Sequence, residues 1–382
     1  MFNTKVINKF QSLSTPFYYY DLGLLEETID SLMKSIDNRK FKIHYAVKAN
    51  ANKSILNIVK SKGLGVDCVS GNEITKALGV GFSPEDIVFA GVGKNDEEIL
   101  TGIKSNIFCF NCESFQELQI INELARGQNK IVNIALRINP NIDAKTHHYI
   151  TTGLNENKFG ISQNELNEII NNWSGFNNLN IIGLHFHIGS QITNFEVFKS
   201  LCLRINELQK WFLNRGISFT HLNVGGGLGV DYVNVDENLI PDFKNYFKVF
   251  EEILDVHPHQ KIHFELGRSI VANCGSMISK VLYVKKGDSK KFIIIDAGMT
   301  ELIRPALYRS HHKIENITSN ENSETYDVVG PICESSDVFG ISVRLPKTKR
   351  GDLVVIRSAG AYGEVMSSNY NLRDKVKHYY SI

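Results

Sequence analysis

Residues 107–138 read IFCFNCESFQELQIINELARGQNKIVNIALRI. Two short apolar runs, 107–110 and 132–138, flank a stretch, 114–126, whose apolar residues recur at helical spacing. Strand, helix, strand in that order predicts a parallel pair, because parallel neighbours need a crossover connection. The same alternation continues in both directions. Runs at 43–47, 64–69, 87–90, 107–110, 132–138, 181–188, 219–224 and 262–266 make eight, and 195–215 is a further helical stretch. Eight such units within 43–266 suit a closed (β/α)8 barrel. The rival, an open doubly wound sheet, calls for G-x-G-x-x-G after the first strand. None follows it, and Gly225-Gly226-Gly227-Leu228-Gly229 has Val230 where the third glycine would fall.

After about residue 275 the texture changes. Runs at 281–285, 292–295, 326–329, 339–343 and 353–357 are joined by short connections rich in Gly, Asp and Ser. They predict a C-terminal antiparallel β-sandwich or β-barrel domain. A strand at 16–20 precedes the barrel and is expected to pair with that second domain, bringing the termini together. The expected division is 22–275 for the (β/α)8 TIM barrel, with 1–21 and 276–382 forming the β domain. The fold class is thus α/β plus β.

Composition narrows the function. The 382 residues carry 42 Lys+Arg against 41 Asp+Glu, a net charge of +1, which offers no electrostatic grip on nucleic acid or an anionic membrane. Hydrophobic residues at 42% and charged residues at 22% fit an ordinary folded chain rather than a disordered one. No apolar run is long enough to span a bilayer, and the opening MFNTKVINKFQSLS has no apolar signal core. Cysteines at 68, 109, 112, 202, 274 and 333 form no disulfide framework, so a reduced, cytoplasmic setting is expected. The lone Cys109-x-x-Cys112 lacks the second ligand pair of a zinc site and reads as a pairing beside a strand.

In a (β/α)8 barrel the chemistry lies at the C-terminal ends of the strands. Those ends deliver Lys48, Asp67, Arg137, His185 and His187, the three glycines 225–227, and Glu265 with Arg268. Each has an ordinary reading: a solvated lysine, a helix cap, a core histidine, a tight turn, a local ion pair. Two histidines at i and i+2 on a strand also face the same way and are a candidate metal pair. Together, however, a lysine that desolvation makes nucleophilic, glycine N–H groups that approach a phosphate, and a buried carboxylate meet the needs of pyridoxal 5′-phosphate (PLP). A carboxylate facing the pyridine nitrogen keeps that nitrogen protonated and the ring a strong electron sink.

The stretches YAVKAN (45–50), HFHIGSQ (185–191), GGGLG (225–229), ELGR (265–268), LIRPALY (302–308), CESSD (333–337) and SAGAYG (358–363) resemble those of the alanine-racemase-fold, group IV PLP-dependent decarboxylases. The resemblance runs in order over nearly the whole chain. It implies a PLP-binding barrel followed by a β domain, and a homodimer whose active sites are shared between subunits. By position it implies Lys48 as the Schiff-base lysine and His187 stacked on the cofactor ring. Asp67 and Arg137 become supporting residues, Ser190, Gly226, Gly227, Gly267 and Arg268 serve the phosphate and ring, and Glu265 faces the ring nitrogen. Arg268, Arg304 and Tyr308 would hold a distal carboxylate of the substrate, and Tyr362 would touch cofactor and substrate. Cys333 would be the proton donor and Glu334 the reader of a distal amine, both from the partner subunit. Leu266 stands where relatives usually have proline, and the tail from Asn371 lacks their Arg/Pro-rich ending.

The substrate this implies carries a second carboxylate, because arginine clamps a carboxylate and repels an amine. meso-2,6-Diaminopimelate fits, with lysine and CO2 as products and bacterial lysine biosynthesis as the setting. Ornithine or arginine decarboxylation would instead call for an acidic residue facing a distal cation. The alternatives are a carboxynorspermidine or carrier-linked amino-acid decarboxylase of the same class, a metal-dependent barrel hydrolase built on His185 and His187, or a non-enzymatic PLP-binding module.

Overall fold

The first strand, β1 (Phe17–Tyr20), is followed by eight that close on themselves: β2 (Phe41–Ala46), β3 (Gly65–Cys68), β4 (Ile87–Phe89), β5 (Cys109–Cys112), β6 (Val132–Arg137), β7 (Leu179–His185), β8 (His221–Asn223) and β9 (Lys261–Leu266). In this computed structural model, which describes residues 2–36, 40–142 and 158–381, every neighbouring pair in the barrel is parallel. β9 closes the ring against β2, from Phe41 opposite Ile262 to Tyr45 opposite Leu266. The eight strands are those expected from the apolar runs. The chain separates into two compact units: Ile29–Gly229 with Asp242–Gly267, and Met1–Thr28, Val230–Pro241 and Arg268–Ile382.

One capping device recurs on the barrel rim. Ser70, Asn95, Ser114 and Ser162 each accept the N–H of a glutamate three residues on: Glu73, Glu98, Glu117 and Glu165. The glutamates then reach other main-chain amides. Glu73 accepts Val69 N–H, Glu117 accepts Glu113 N–H, Glu98 accepts Gly71 N–H and Glu165 accepts Phe115 N–H. The last two bonds cross from one rim loop to another, so consecutive loops are tied together.

The barrel interior is polar. Asn111 on β5 touches Glu265 on β9, strands that are not neighbours, so the contact runs through the lumen. Nearer the strands' N-terminal ends, His44 and His263 share a bond of 2.7 Å and the His221 ring lies 3.9 Å from His263. Burial lowers all three, His44 to about 4 and His221 to about 3, so this layer is uncharged at neutral pH. Room is made by glycine: a Cβ on Gly183 would lie 2.0 Å from the carbonyl oxygen of His221.

The second unit holds β10 (Gly275–Lys286), β11 (Lys291–Ile295), β12 (Ile314–Asn316), β13 (Ser323–Val329), β14 (Val338–Pro346), β15 (Leu353–Ile356) and β16 (Lys377–Tyr380). The sheet order is β12-β15-β10-β11-β13-β14. β1 pairs antiparallel with β10 and parallel with β16, so the two chain ends do meet in this unit. The β domain is there as expected, and its sheet is mixed: most pairs are antiparallel, while β11–β13 and β1–β16 are parallel. A parallel neighbour needs a long connection, and the segment between β11 and β13 supplies one, carrying the helix Arg304–Tyr308 and β12.

Two glycine substitutions should separate crowding from freedom. Gly183→Ala forces a methyl into the β8 backbone and should destabilise the protein by about 2 kcal/mol or more. Gly79→Ala, in the helix Gly71–Val80 with open space at its Cβ, should stabilise by roughly 0.5–1 kcal/mol. Urea denaturation of both variants checks the pair of signs.

Candidate active site

Lys48 lies in the single turn Val47–Ala49 that ends β2, and its Nζ sits 2.9 Å from Asp67 Oδ2 on β3. Asp67 is fully buried, and its Oδ1 has no hydrogen-bond partner among the described residues. Glu265, near the end of β9, is held at both oxygens. Oε1 accepts from Asn111 at 3.1 Å and Asn223 at 2.7 Å, and Oε2 pairs with His185 Nε2 at 3.1 Å. The two buried carboxylates are pushed apart in acidity. Burial, and then the charge of Glu265, raise Asp67 against the pull of Lys48. Burial also pulls Glu265 upward, but the charge and hydrogen bond of His185, with Lys48 and His187, outweigh it and hold Glu265 ionised.

The turn after β8 touches two of these neighbours, Glu265 and His187. Gly225 and Gly227 have φ of +72° and +110°, a region that favours glycine. A Cβ on Gly226 would lie 1.9 Å from the carbonyl oxygen of Glu265, so that position takes no side chain. Gly226 N–H points to His187 Nδ1 at 3.3 Å, which leaves the ring proton of a neutral His187 on Nε2. Burial, then the nearby Arg137 and Lys48, push the His187 pKa well down. Gly267 packs its Cα against the Lys48 turn, with Ala46 and Ala49 within 3.1 Å of any Cβ it could carry. Arg137, at the end of β6, pairs with Glu113 and lies over the Phe159 ring at 4.8 Å, while Glu113 also accepts Gly160 N–H. Lys48, Arg137, Phe159, His185, His187 and Glu265 line a cavity of about 370 Å³. Ser190 is half-buried in the loop after β7.

A second cluster belongs to the other compact unit. Arg268 donates to the Tyr232 hydroxyl at 2.7 Å and lies 4.8 Å from the Tyr362 ring. The Arg304 guanidinium is 5.2 Å from the Tyr232 ring. Arg304 is only 4% exposed, yet its Nε and Nη1 have no hydrogen-bond partner among the described residues. Burial works upward on the Tyr232 hydroxyl, but the two guanidiniums outweigh it and hold it below the ordinary tyrosine value. Tyr308 closes the short helix that Arg304 begins. Cys333 and Glu334 sit apart from this cluster on an exposed turn of the same unit. Cys333 N–H points to Asn371 at 3.4 Å, Glu334 accepts the Tyr370 hydroxyl at 3.0 Å, and Asp337 braces the turn through the N–H groups of Met299 and Ile332.

Sequence reasoning passed over Asn111, Asn223, Tyr232 and Glu113. Asn223 had a usable signal, since it stands two residues before the glycine turn. Asn111 lay unnoticed inside the C-x-x-C, which is β5 itself with both thiols buried. Among the described residues no three His, Cys, Asp or Glu side chains are grouped to hold a metal ion. His185 is engaged with Glu265 instead.

An amine at a cavity wall, a glycine turn closed to side chains, and a buried anion fit a cofactor with an aldehyde, a phosphate and a basic ring nitrogen. The sequence profile "Pyridoxal-dependent decarboxylase, pyridoxal binding domain" matches residues 22–272, and the chain belongs to this family of PLP enzymes. Within it, the chain is 56% identical over 376 residues to the diaminopimelate decarboxylase of Bacteroides thetaiotaomicron, covering 98% of this chain and 97% of the relative. Its fold is similar to the crystal structure of diaminopimelate decarboxylase from Helicobacter pylori complexed with L-lysine. That match has a TM-score of 0.93 at 41% identity and covers 99% of this chain and 94% of that one. The diaminopimelate decarboxylase from M. jannaschii in co-complex with L-lysine matches with a TM-score of 0.90 at 33% identity, over 98% and 89%.

Beside the Lys48–Asp67 pair, burial raises Glu73 to about 7, against the bond it accepts from Val69 N–H. A folded pKa above the unfolded one means that folding takes up a proton. The resulting stability is complete below about pH 4.5 and is lost as pH rises through about 7. Glu73→Gln retains an oxygen for Val69 and removes the titration. Between pH 4.5 and 8 the wild type should therefore lose on the order of 2 kcal/mol relative to Glu73→Gln, read from urea midpoints of the two proteins across that range.

Proposed function

We propose that this protein decarboxylates meso-2,6-diaminopimelate to L-lysine and CO2, the last step of bacterial lysine biosynthesis, in the cytoplasm. The observation that carries the reading is the near-full-length 56% identity to a diaminopimelate decarboxylase. The buried Arg304, with Nε and Nη1 unpartnered, supports a substrate that brings its own second carboxylate.

PLP, when bound, supplies the sink that accepts the electron pair of the breaking Cα–carboxylate bond. The chain's own residues do the rest. Lys48 offers the amine for covalent attachment, and Asp67 receives its proton-bearing end. Glu265 is the anion for the ring nitrogen, and His187 gives the ring a flat neutral neighbour. Gly226, Gly227, Gly267, Ser190 and Arg268 serve the phosphate, and Arg137 with Asp67 shapes the wall of the site. Arg304, Tyr308 and Arg268 bind the distal carboxylate, and Tyr362 touches cofactor and substrate. Cys333 delivers a proton to Cα as general acid, and Glu334 receives the distal ammonium. We assign these two to a partner copy, because this reading makes the enzyme a homodimer with shared sites. Residues 22–275 are the PLP-binding barrel in this scheme, with 1–21 and 276–382 as the β domain.

Incubation with PLP and meso-diaminopimelate should release CO2 and lysine in equal amounts; silence with that substrate and turnover of another diamino acid would sink the reading. Arg304→Lys loses the bidentate clamp. It should lower kcat/KM on the order of 100-fold while PLP affinity changes less than about threefold.

The shared site has its own test. Lys48→Ala and Cys333→Ala chains should each be nearly inactive. Unfolded and refolded together, random pairing makes half the dimers mixed, each with one intact site, so activity should recover to about one quarter of wild type. A mixture that stays inactive while mass measurement finds mixed dimers would place Cys333 at its own chain's site.

A further inference from the structure

Asn223 ends β8 wholly buried, and its side chain is committed at both ends. Nδ2 donates to Glu265 Oε1 at 2.7 Å, and Oδ1 accepts Gly225 N–H at 2.9 Å. The second bond settles which end of the amide faces the carboxylate, since a backbone N–H needs an oxygen opposite it. Gly225 opens the glycine turn, and a Cβ there would lie 2.2 Å from the carbonyl oxygen of Phe186, so the turn has little room to shift. One side chain thus spans from Glu265 to the first residue of the turn that contains Gly226 and Gly227. Asn111, also wholly buried, reaches the same Glu265 oxygen from β5 across the lumen.

We propose that Asn223 is a positioning residue that fixes Glu265 and the glycine turn relative to each other, with Asn111 as a second support of the carboxylate. This rests on the reading above, in which Glu265 faces the ring nitrogen of PLP and Gly226 and Gly227 face its phosphate. Ring nitrogen and phosphate belong to one small molecule, the phosphate on a short methylene arm, so the protein groups that meet them must stay within a narrow range of separation and direction. The backbone ties the main chain of Glu265 to the turn, since Glu265 N–H donates to the Gly225 carbonyl at 2.8 Å, but it leaves the direction of the Glu265 carboxylate open. Asn223 links the two directly, and it does so from a strand end, where its own backbone is held by the sheet.

The test is a double-mutant cycle read by titrating PLP into apoprotein and following absorbance. Asn223→Asp keeps an oxygen for Gly225 N–H and replaces the donor that faces Glu265 with a second acceptor. It should weaken PLP binding about 10–100-fold in the wild-type background. In the Glu265→Gln background the same change should cost less than about threefold, because no anion remains to be held. Asn223→Leu breaks both links and should also move the phosphorus-31 resonance of bound PLP, which Asn223→Asp leaves in place. If Asn223→Leu fails to fold, the Asp cycle decides alone. Equal losses in both backgrounds would mean that Asn223 acts on folding rather than through Glu265, and the proposal falls. If Glu265→Gln by itself leaves PLP affinity and spectrum unchanged, Glu265 does not face the ring, and the underlying reading falls with the inference.

Discussion

A charged carboxylate inside a protein is costly unless every lone pair finds a donor. Glu265 is such a carboxylate, and much of the barrel interior is arranged to hold it. Three other strands each contribute one donor: Asn111 from β5, His185 from β7 and Asn223 from β8. Only a closed barrel brings residues from so many strands to one point without a loop entering the interior. The same arrangement separates two acids a short way apart. Glu265 keeps its charge, while Asp67, with one oxygen on Lys48 and one bare, is the carboxylate that burial drives toward protonation. Beneath them the His44, His221 and His263 layer stays neutral, so it adds no competing cation.

Precision at the rim comes from the backbone. The N3 glutamates satisfy amides that helix starts leave free, and two of them do so across loops. Lys94 adds to this: its ammonium is nearly fully buried and binds Glu117 and the carbonyls of Gly91 and Asn111. It thereby holds the main chain of the residue whose side chain steadies Glu265. Rim loop, strand end and carboxylate form one connected hydrogen-bonded set, the kind of support that holds a site's side chains in fixed directions.

What could be read in advance follows from signal strength. Eight buried parallel strands announce themselves as apolar runs, so the barrel was legible from periodicity alone. β12, three residues long, and β16, which carries Lys377 and His378, have no such run and went unseen. The direction of a pair is set by its connection, so β11–β13 could not be recognised as parallel without β12 between them. In the site, Lys48, Glu265 and the glycine turn stand out because their residue types are unusual at strand ends. Asn111 and Asn223 do not, because a strand asparagine gains meaning only from the partner across the lumen. Leu266 completes the register with Tyr45, a place where its side chain is buried and its departure from proline costs the strand nothing visible.

The cluster around Tyr232 carries the remaining argument about specificity. Two guanidiniums share one phenol, and that phenol is acidified by them, which is the response of a neutral group standing where an anion belongs. Burial and the neighbouring Arg268 in turn lower Arg304. Close by, His312 is driven down to about 3 by burial and then by Arg304, so it brings no further charge. Such a cluster gains most from a ligand that supplies negative charge and two acceptors at once, because it then satisfies Nε and Nη1 of Arg304 together. A distal ammonium in the same place would add a third cation to two that are already strained by burial. In the proposed function, discrimination between a diamino dicarboxylic acid and a simple diamino acid would rest less on shape than on this uncompensated charge.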